Sequence, residues 1–390
     1  MKKIAILIVF LVLPVHFLMG ESQSKVSEII DSINEETLLF YEESLQSFGP
    51  HPTGSDTCDA VADFIFNEFE KEGLAVEYQH WERNGISGKN VVATMEGKTD
   101  FIVIISAHYD TVGVSPGADD DSSGVAMVLT AAKILSKYNF LHTIKFVAFS
   151  GEEQGLYGSE YFARNSYKRE EKTIADIQLD GVGYAVNEGK KVRISSNDAS
   201  LWIIDTAEQI AKDYENSIDL EISRHDYTGS DHKSFYNYGY EGVFFLEYEF
   251  NPNYHTSEDK IDYINISYMK KVCRLATATL ATIADKEVNV MVRITEPELG
   301  GIYFAGRKII ELYNHATILI GKITAAAEII AVKKIEKVDF YLDKRFYGTI
   351  YEEPYRFTYR TFAFLNHKIR IFAYSDAEFD ESEISIICFA

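Results

Sequence analysis

Residues 101–124 read FIVIISAHYDTVGVSPGADDDSSG. The apolar, β-branched run 101–105 has the composition of a strand buried on both faces, as in a sheet that carries helices. It ends in His108 and Asp110, followed by a loop with Pro116, Gly117 and three consecutive acids, Asp119, Asp120 and Asp121. In open α/β sheets, sites form at the carboxyl ends of strands. A nitrogen ligand, an orienting carboxylate and a group of carboxylates there suit a hard-to-borderline divalent metal such as zinc. Each feature alone has an ordinary explanation, a hydrogen-bonded His or a solvated acidic loop. What the other strands end in therefore decides between them.

Upstream, residues 25–48 are charged and amphipathic at near-helical spacing. The stretch GPHPTGS, 49–55, is a loop in which His51 reads as loop structure rather than a ligand, and Ser55 can cap a helix over 59–72. Alternation over 75–81 and 90–95 predicts two strands at the sheet's edge. Downstream, an Ala-rich helix over 124–137 starts just after the acids, so its free amide groups face them.

The order of strand, polar end and helix then recurs. A strand over 143–149 ends in SGEEQGLYGS, with Glu152 and Glu153 adjacent. Adjacent carboxylates at a strand end point in different directions, so one can bind metal while its neighbour faces substrate as a general base. A strand over 174–179 ends in Asp180. A helix near 201–214, the polar stretch RHDYTGSDHKSF (224–235) and a strand over 242–246 follow. NPNYHTSEDK places His255 in a loop with Tyr254, Thr256 and Asp259, and a helix over 267–285 closes the unit. Two His and several carboxylates gathered at four strand ends or loops match the mixed-ligand chemistry of a two-metal hydrolase.

The formal net charge of -22 and a pI near 4.9 argue against a nucleic-acid or anionic-membrane partner, which would need a basic patch. MKKIAILIVFLVLPVHFLMG has the layout of a secretory signal peptide, two lysines and a short apolar run, and retained uncleaved it would anchor the chain. Cys58, Cys273 and Cys388 allow at most one disulfide and no Cys-based metal site.

At AHYDT, PGADDDSSG, SGEEQGLYGS, QLDGVG, SDHKSF and YHTSED, in this order and spacing, the chain resembles peptidase family M28, the co-catalytic zinc exopeptidases that include secreted bacterial leucyl aminopeptidases. The resemblance covers about residues 40–285. It implies two zinc ions, one held by His108 and Asp180 and one by Glu153 and His255, with Asp120 bridging. It further implies Asp110 as the acid orienting His108, Glu152 as general base, Tyr227 as a phenol donor to the oxyanion and a cis peptide at Asp120–Asp121. Where some secreted relatives brace the Tyr loop with a disulfide, this chain has His225 and Gly229. Asp231 and His232 read as structural or substrate-lining.

From 288 on, short alternating runs rich in Tyr and Phe predict a β-sandwich. IEKVDFYLDKRFYGTIYEEPYRFTYR and HKIRIFAYSDAE resemble immunoglobulin-like domains appended to secreted enzymes. The expected organisation is a signal peptide over 1–22, an M28-like domain over 23–286 with a mixed, mostly parallel sheet flanked by helices, and an Ig-like all-β sandwich over 287–390. The expected activity is that of a secreted metallo-aminopeptidase acting on peptides, with the carboxyl-terminal domain offering a cell-surface or polymer contact. An M28-like carboxypeptidase, for which Arg224 is a candidate clamp, and a glutaminyl cyclase are the alternatives within the fold. A non-catalytic surface-binding protein is disfavoured, because all five expected ligands and Glu152 are present.

Overall fold

The computed structural model describes residues 13–312, 314–376 and 378–390. Residues 1–12 of the expected leader lie outside the described residues. Helix α1 (Leu13–Ser32) runs through position 22 without a break, and none of the described helices is long and apolar enough to cross a membrane.

The stretch of near-helical spacing over 25–48 falls on two helices. The chain breaks after α1 and restarts as α2 (Glu35–Gln46), because Asn34 is extended and its side chain accepts the Thr37 N–H as an N-cap. Helix α3 (Asp56–Lys71) starts at the expected cap, the Ser55 side chain accepting the Cys58 N–H at 3.1 Å. The edge pair follows as β1 (Ala75–Arg83) and β2 (Ile86–Met95), and the central strand is β3 (Thr99–His108). Next come α4 (Ser123–Leu135), β4 (His142–Phe149), α5 (Tyr157–Lys168) and β5 (Lys172–Leu179). Two short strands unforeseen in the sequence, β6 (Lys191–Ser195) and β7 (Glu221–His225), flank α6 (Leu201–Asp213) and the one-turn α7 (Glu215–Ile218). The unit ends with α8 (His232–Asn237), β8 (Gly242–Glu247) and α9 (Ile266–Ala284).

The eight strands form one sheet ordered β1-β2-β4-β3-β5-β8-β6-β7. Strands β4, β3, β5 and β8 are parallel, so His108, the loops after Phe149 and Leu179, and the loop after Glu247 all emerge at one carboxyl edge. Period two divides β3 between two cores. Val103, Ile105 and Ala107 face the core covered by α1, α2, α3, α4, α6 and α9, while Ile102 and Ile104 face the opposite one.

The carboxyl-terminal region is all β. It contains β9 (Val290–Glu296), β10 (Gly301–Phe304), β11 (Arg307–Glu311), β12 (Thr317–Ile320), β13 (Ile323–Ala331), β14 (Lys337–Leu342), β15 (Arg345–Ile350), β16 (Arg356–Tyr359), β17 (Phe364–Ser375) and β18 (Glu378–Phe389). They make a seven-stranded sheet, β11-β10-β12-β18-β17-β14-β15, and a three-stranded sheet, β16-β13-β9. Gly321, at φ +87°, lets the chain leave the first sheet after β12 and enter the second as β13. The inner faces share one apolar cluster with Phe149, Phe162 and Phe235 of the α/β unit. Glu160 on α5 ties the two parts together, its carboxylate accepting from His315 Nδ1 at 3.0 Å and from the Tyr238 hydroxyl at 2.9 Å.

A candidate metal centre at the carboxyl edge of the sheet

His108 ends β3 fully buried among acids. Its Nδ1 lies 3.0 Å from the Asp110 carbonyl oxygen, which can only accept, so Nδ1 carries the proton and Nε2 is free to ligate. That Nε2 is 3.1 Å from Asp120 Oδ1 and 3.5 Å from Asp180 Oδ1. The orienting acceptor is the Asp110 carbonyl, with its carboxylate Oδ1 3.7 Å from the ring. The Asp110 carboxylate serves another purpose, accepting Thr53 Oγ1 at 2.8 Å and the backbone N–H groups of Glu152 and Glu153 at 3.2 and 3.4 Å.

A second group shares Asp120. His255 Nε2 is 3.0 Å from Asp120 Oδ2 and 3.0 Å from Glu153 Oε1. In each triad, His108–Asp120–Asp180 and Asp120–Glu153–His255, the ligand atoms lie within 4.8 Å of one another. Asp120 Oδ2, Glu153 Oε1 and His255 Nε2 are buried, yet none makes a hydrogen bond. Buried polar atoms left without partners are rare and costly. Three converging orphans drawn from carboxylate and imidazole are what a divalent ion of the zinc type would satisfy, so the residues present fit such a group.

Electrostatics agree. Burial raises the Glu153 carboxyl to about 7, the charge of Asp120 adding to it while the two histidines oppose. Burial also pushes Glu152 well above the usual carboxylate range; His108 opposes, and Asp180, Asp231 and Asp110 reinforce the rise. Burial works against a charged His108, but Asp180, Asp110 and Asp120 outweigh it and raise its proton affinity. Carboxylates crowded this closely repel one another, and a bound cation would relieve them.

The acids outside the two triads hold the loops together through backbone N–H groups. Asp121 accepts from His108 at 3.3 Å, Gly124 at 2.9 Å and Gly181 at 3.2 Å, tying the ends of β3 and β5 to the start of α4. Asp119 accepts from Gly183 at 2.7 Å, Tyr184 at 3.1 Å and the Asn251 side chain at 2.9 Å. The Ser230 hydroxyl donates to Asp180 Oδ2. None of these roles was read from the sequence; the only available signal was the excess of acids over ligands in PGADDDSSG and YHTSEDK. The peptide bond Asp120–Asp121 is cis.

The remaining expected residues divide. His51 donates its backbone N–H to Thr111 Oγ1 and sets Nδ1 2.6 Å from the Gly49 carbonyl, as loop structure does. Tyr227 is 60% exposed, with its ring 6.2 Å from Phe244, and no described contact joins its hydroxyl to a ligand. A Cβ at Gly229 would lie 2.2 Å from that hydroxyl, so only glycine leaves room for it. His232 is buried, stacked on Phe244 with Nε2 3.1 Å from the Tyr227 carbonyl, and burial lowers its pKa to about 3. This contact braces the Tyr loop, and Cys58, Cys273 and Cys388 are all buried and unpaired. Arg224 is held away from the site by ion pairs to Asp205 at 2.7 Å and Glu208 at 2.6 Å on α6.

The chain is similar to known proteins over the part that carries these residues. Residues 90–280 match the model of peptidase family M28. The chain is 30% identical over 220 residues to leucine aminopeptidase 1 of Pyrenophora tritici-repentis, an alignment covering 51% of this chain and 56% of that relative. The chain thus spans little more than half the length of that curated relative. A zinc aminopeptidase from Bacillus subtilis superposes with a TM-score of 0.61 at 18% identity, over 65% of this chain and 96% of the other. A Bacteroides thetaiotaomicron glutaminyl cyclase superposes at 0.59 and 19% identity, over 64% of this chain and 98% of the other. At these identities the structural likeness speaks for the fold, which both activities share.

Proposed function

On the premise that residues 90–280 are a peptidase family M28 domain, we propose that the protein is a secreted zinc-dependent aminopeptidase that releases amino-terminal residues from peptides, with Glu152 as general base. The observation that carries this reading is the shared Asp120: its two oxygens face His108 and His255 separately, with buried unpartnered atoms between. His108 and Asp180 would hold one zinc, Glu153 and His255 a second, and Asp120 would lie between them. Bound there, zinc supplies a Lewis acid and an acidified water near neutral pH.

The chain's own residues supply the rest. Asp110 fixes the backbone of both glutamates, so Glu153 turns to the ligand cluster while Glu152 remains available to a proton. Held beside the ligand cluster by its backbone, Glu152 would take a proton from the attacking water and return it to the leaving amine. Tyr227, carried on the loop braced by His232, donates its phenol to the developing oxyanion once substrate closes the gap. A carboxypeptidase is disfavoured by the engagement of Arg224 with α6. The reading extends to a signal peptide over 1–22, a peptidase domain over 23–286 and an Ig-like sandwich over 287–390.

The test is hydrolysis of amino-acid p-nitroanilides and of amino-terminally blocked peptides, with and without chelator, beside the Glu152→Gln variant. Chelator-sensitive release from free amino termini, abolished in Glu152→Gln, is the expected result. No turnover of any of them by zinc-loaded protein would sink the reading and redirect attention to glutaminyl substrates.

A further inference from the structure

One end of the carboxyl-terminal sandwich is apolar where its strands should present polar residues. Register sets Phe304, Ile320, Phe389 and Phe364 side by side across β10, β12, β18 and β17. Opposed residues share a face, so all four stand on the outer face of the seven-stranded sheet. Phe304, Phe389 and Phe364 are exposed, and Phe362 in the loop before β17 is 85% exposed. A second row, Ile302, Ile318 and Ile387, extends the patch inward. Further along the same face, Lys368 and Arg370 pair with Glu383 and Glu381 beside the rings of Tyr341, Phe372 and Phe379, so aromatic and paired charged residues alternate there.

The turns that close this end carry cations. Arg307 opens β11 opposite Phe304, Lys322 lies in the turn after β12, Lys344 lies in the turn into β15 and Arg345 opens that strand, and Arg360 precedes Phe362; all five are exposed. Among the described residues no carboxylate pairs with any of them. Lys344, Arg345, Tyr347, Phe362 and His367 line a shallow cavity of about 600 Å³, together with Asp343. That acid is engaged, its carboxylate 2.9 Å from the His367 ring.

We propose that this aromatic, basic end docks the protein on an anionic phospholipid bilayer. Apolar rings enter the boundary between headgroups and acyl chains, while Lys and Arg stems reach back to the phosphates. Charge complementarity selects this occupant. Residues 287–390 contain 13 Lys and Arg against 15 Asp and Glu, whereas residues 1–286 contain 25 against 45. An anionic surface therefore repels the α/β unit and meets, at this end, a group of exposed cations without carboxylate partners, which also orients the acidic body outward. A second copy of the chain is a poor occupant, because a two-fold pairing would set these unpaired cations against their own counterparts. The net charge of the whole chain, which argues against an anionic surface, conceals this local reversal.

The full chain is to be sedimented with vesicles of phosphatidylcholine alone and with about one third phosphatidylglycerol, at about 0.1 M and about 1 M salt, across which the Debye length falls from about 10 to about 3 Å. Binding is expected to be roughly tenfold tighter on the anionic vesicles and to weaken in high salt. The variants Phe362→Ser/Phe364→Ser and Lys344→Ser/Arg345→Ser each weaken it about tenfold, with unchanged thermal melting to show that the fold is intact. Equal binding by these variants would assign the attachment to the amino-terminal residues and overturn the proposal. It is equally overturned by no binding to anionic vesicles, or by a dimer in light scattering that Phe362→Ser dissolves.

Discussion

The Asp259 carboxylate accepts the backbone N–H of Asp120 at 3.2 Å, as well as that of Asp119 at 2.9 Å. The loop that carries His255 thereby holds the acid that faces both triads. Asp259→Ala leaves two buried N–H groups without an acceptor and loosens Asp120. Loss of such a supporting contact costs roughly 10–100-fold in metal affinity, to be read by chelator competition. The accompanying stability loss should be about 1–3 kcal/mol. Asp259→Asn, which keeps one oxygen, should fall between. Unchanged zinc affinity in both variants would reduce Asp259 to ordinary loop packing.

The room that Gly229 leaves for the Tyr227 hydroxyl makes the phenol's role testable without touching the ligand cluster. Tyr227→Phe keeps the ring on Phe244 and removes only the donor. Loss of one oxyanion donor typically costs about 100-fold in kcat, and zinc content should not change. Gly229→Ala displaces the phenol by steric overlap and should reproduce that loss. If Tyr227→Phe turns over substrate at the wild-type rate, the tyrosine is merely an exposed ring on a braced loop.

Asp176 gives a pH prediction well away from the ligands. It sits buried on β5, accepting Ser106 Oγ at 2.8 Å, while its Oδ2 has no partner. Gln178, two residues along and so on the same face, also leaves Oε1 unpartnered. Burial raises the Asp176 carboxyl well above its usual range. A folded value above the unfolded one means that this group's contribution is fully present below the unfolded value, near 3.9, and is lost as pH rises toward the folded value. Each unit of that rise is a penalty of about 1.4 kcal/mol. Asp176→Asn removes the penalty, and its amide can donate to Gln178. The variant should therefore be more stable than wild type in urea at pH 8 and nearly equal to it at pH 4. A variant less stable at pH 8 would mean that Asp176 stays ionised with a partner.

The site was legible to the extent that it follows from strands. An uninterrupted β-branched run such as 101–105 is diagnostic because a strand buried on both faces needs no polar alternation. His108, Asp180 and the two glutamates stand directly at strand ends. What could not be read depends on distant loops meeting: nothing local in YHTSEDK says that Asp259 will accept N–H groups 140 positions away. Strands β6 and β7 were missed for a different reason. Each has five residues, bearing Lys191, Arg193, Glu221 and Arg224 near a sheet edge, where charge is tolerated and the apolar signal fails. The charge reversal at the carboxyl-terminal end was hidden by averaging, since its five cations come from four separated connections that meet only in the folded sandwich.

That sheet also bears on how the molecule unfolds. The Glu160 carboxylate joins His315 to Tyr238 across the two parts, and His315 packs edge-on to the Tyr238 ring at 6.2 Å. Gly239 sits against Ile384, with a Cβ there falling 3.3 Å from it. Phe149, Phe162 and Phe235 share one apolar cluster with Ile384 and Ile386. A dispensable appendage would instead have its own closed core and a polar, mobile junction. The chain is accordingly expected to unfold in one cooperative transition, with fluorescence and circular dichroism coincident. His315→Ala should cost about 1–3 kcal/mol by leaving part of the buried Glu160 carboxylate unpaired. A chain ended at residue 286 should lose solubility, because it exposes the aromatic face on which α5 and α8 lie, and α5 begins just after Glu152 and Glu153. Two separate transitions, or a soluble truncated chain with full activity, would show that the sandwich rides on the α/β unit without supporting it.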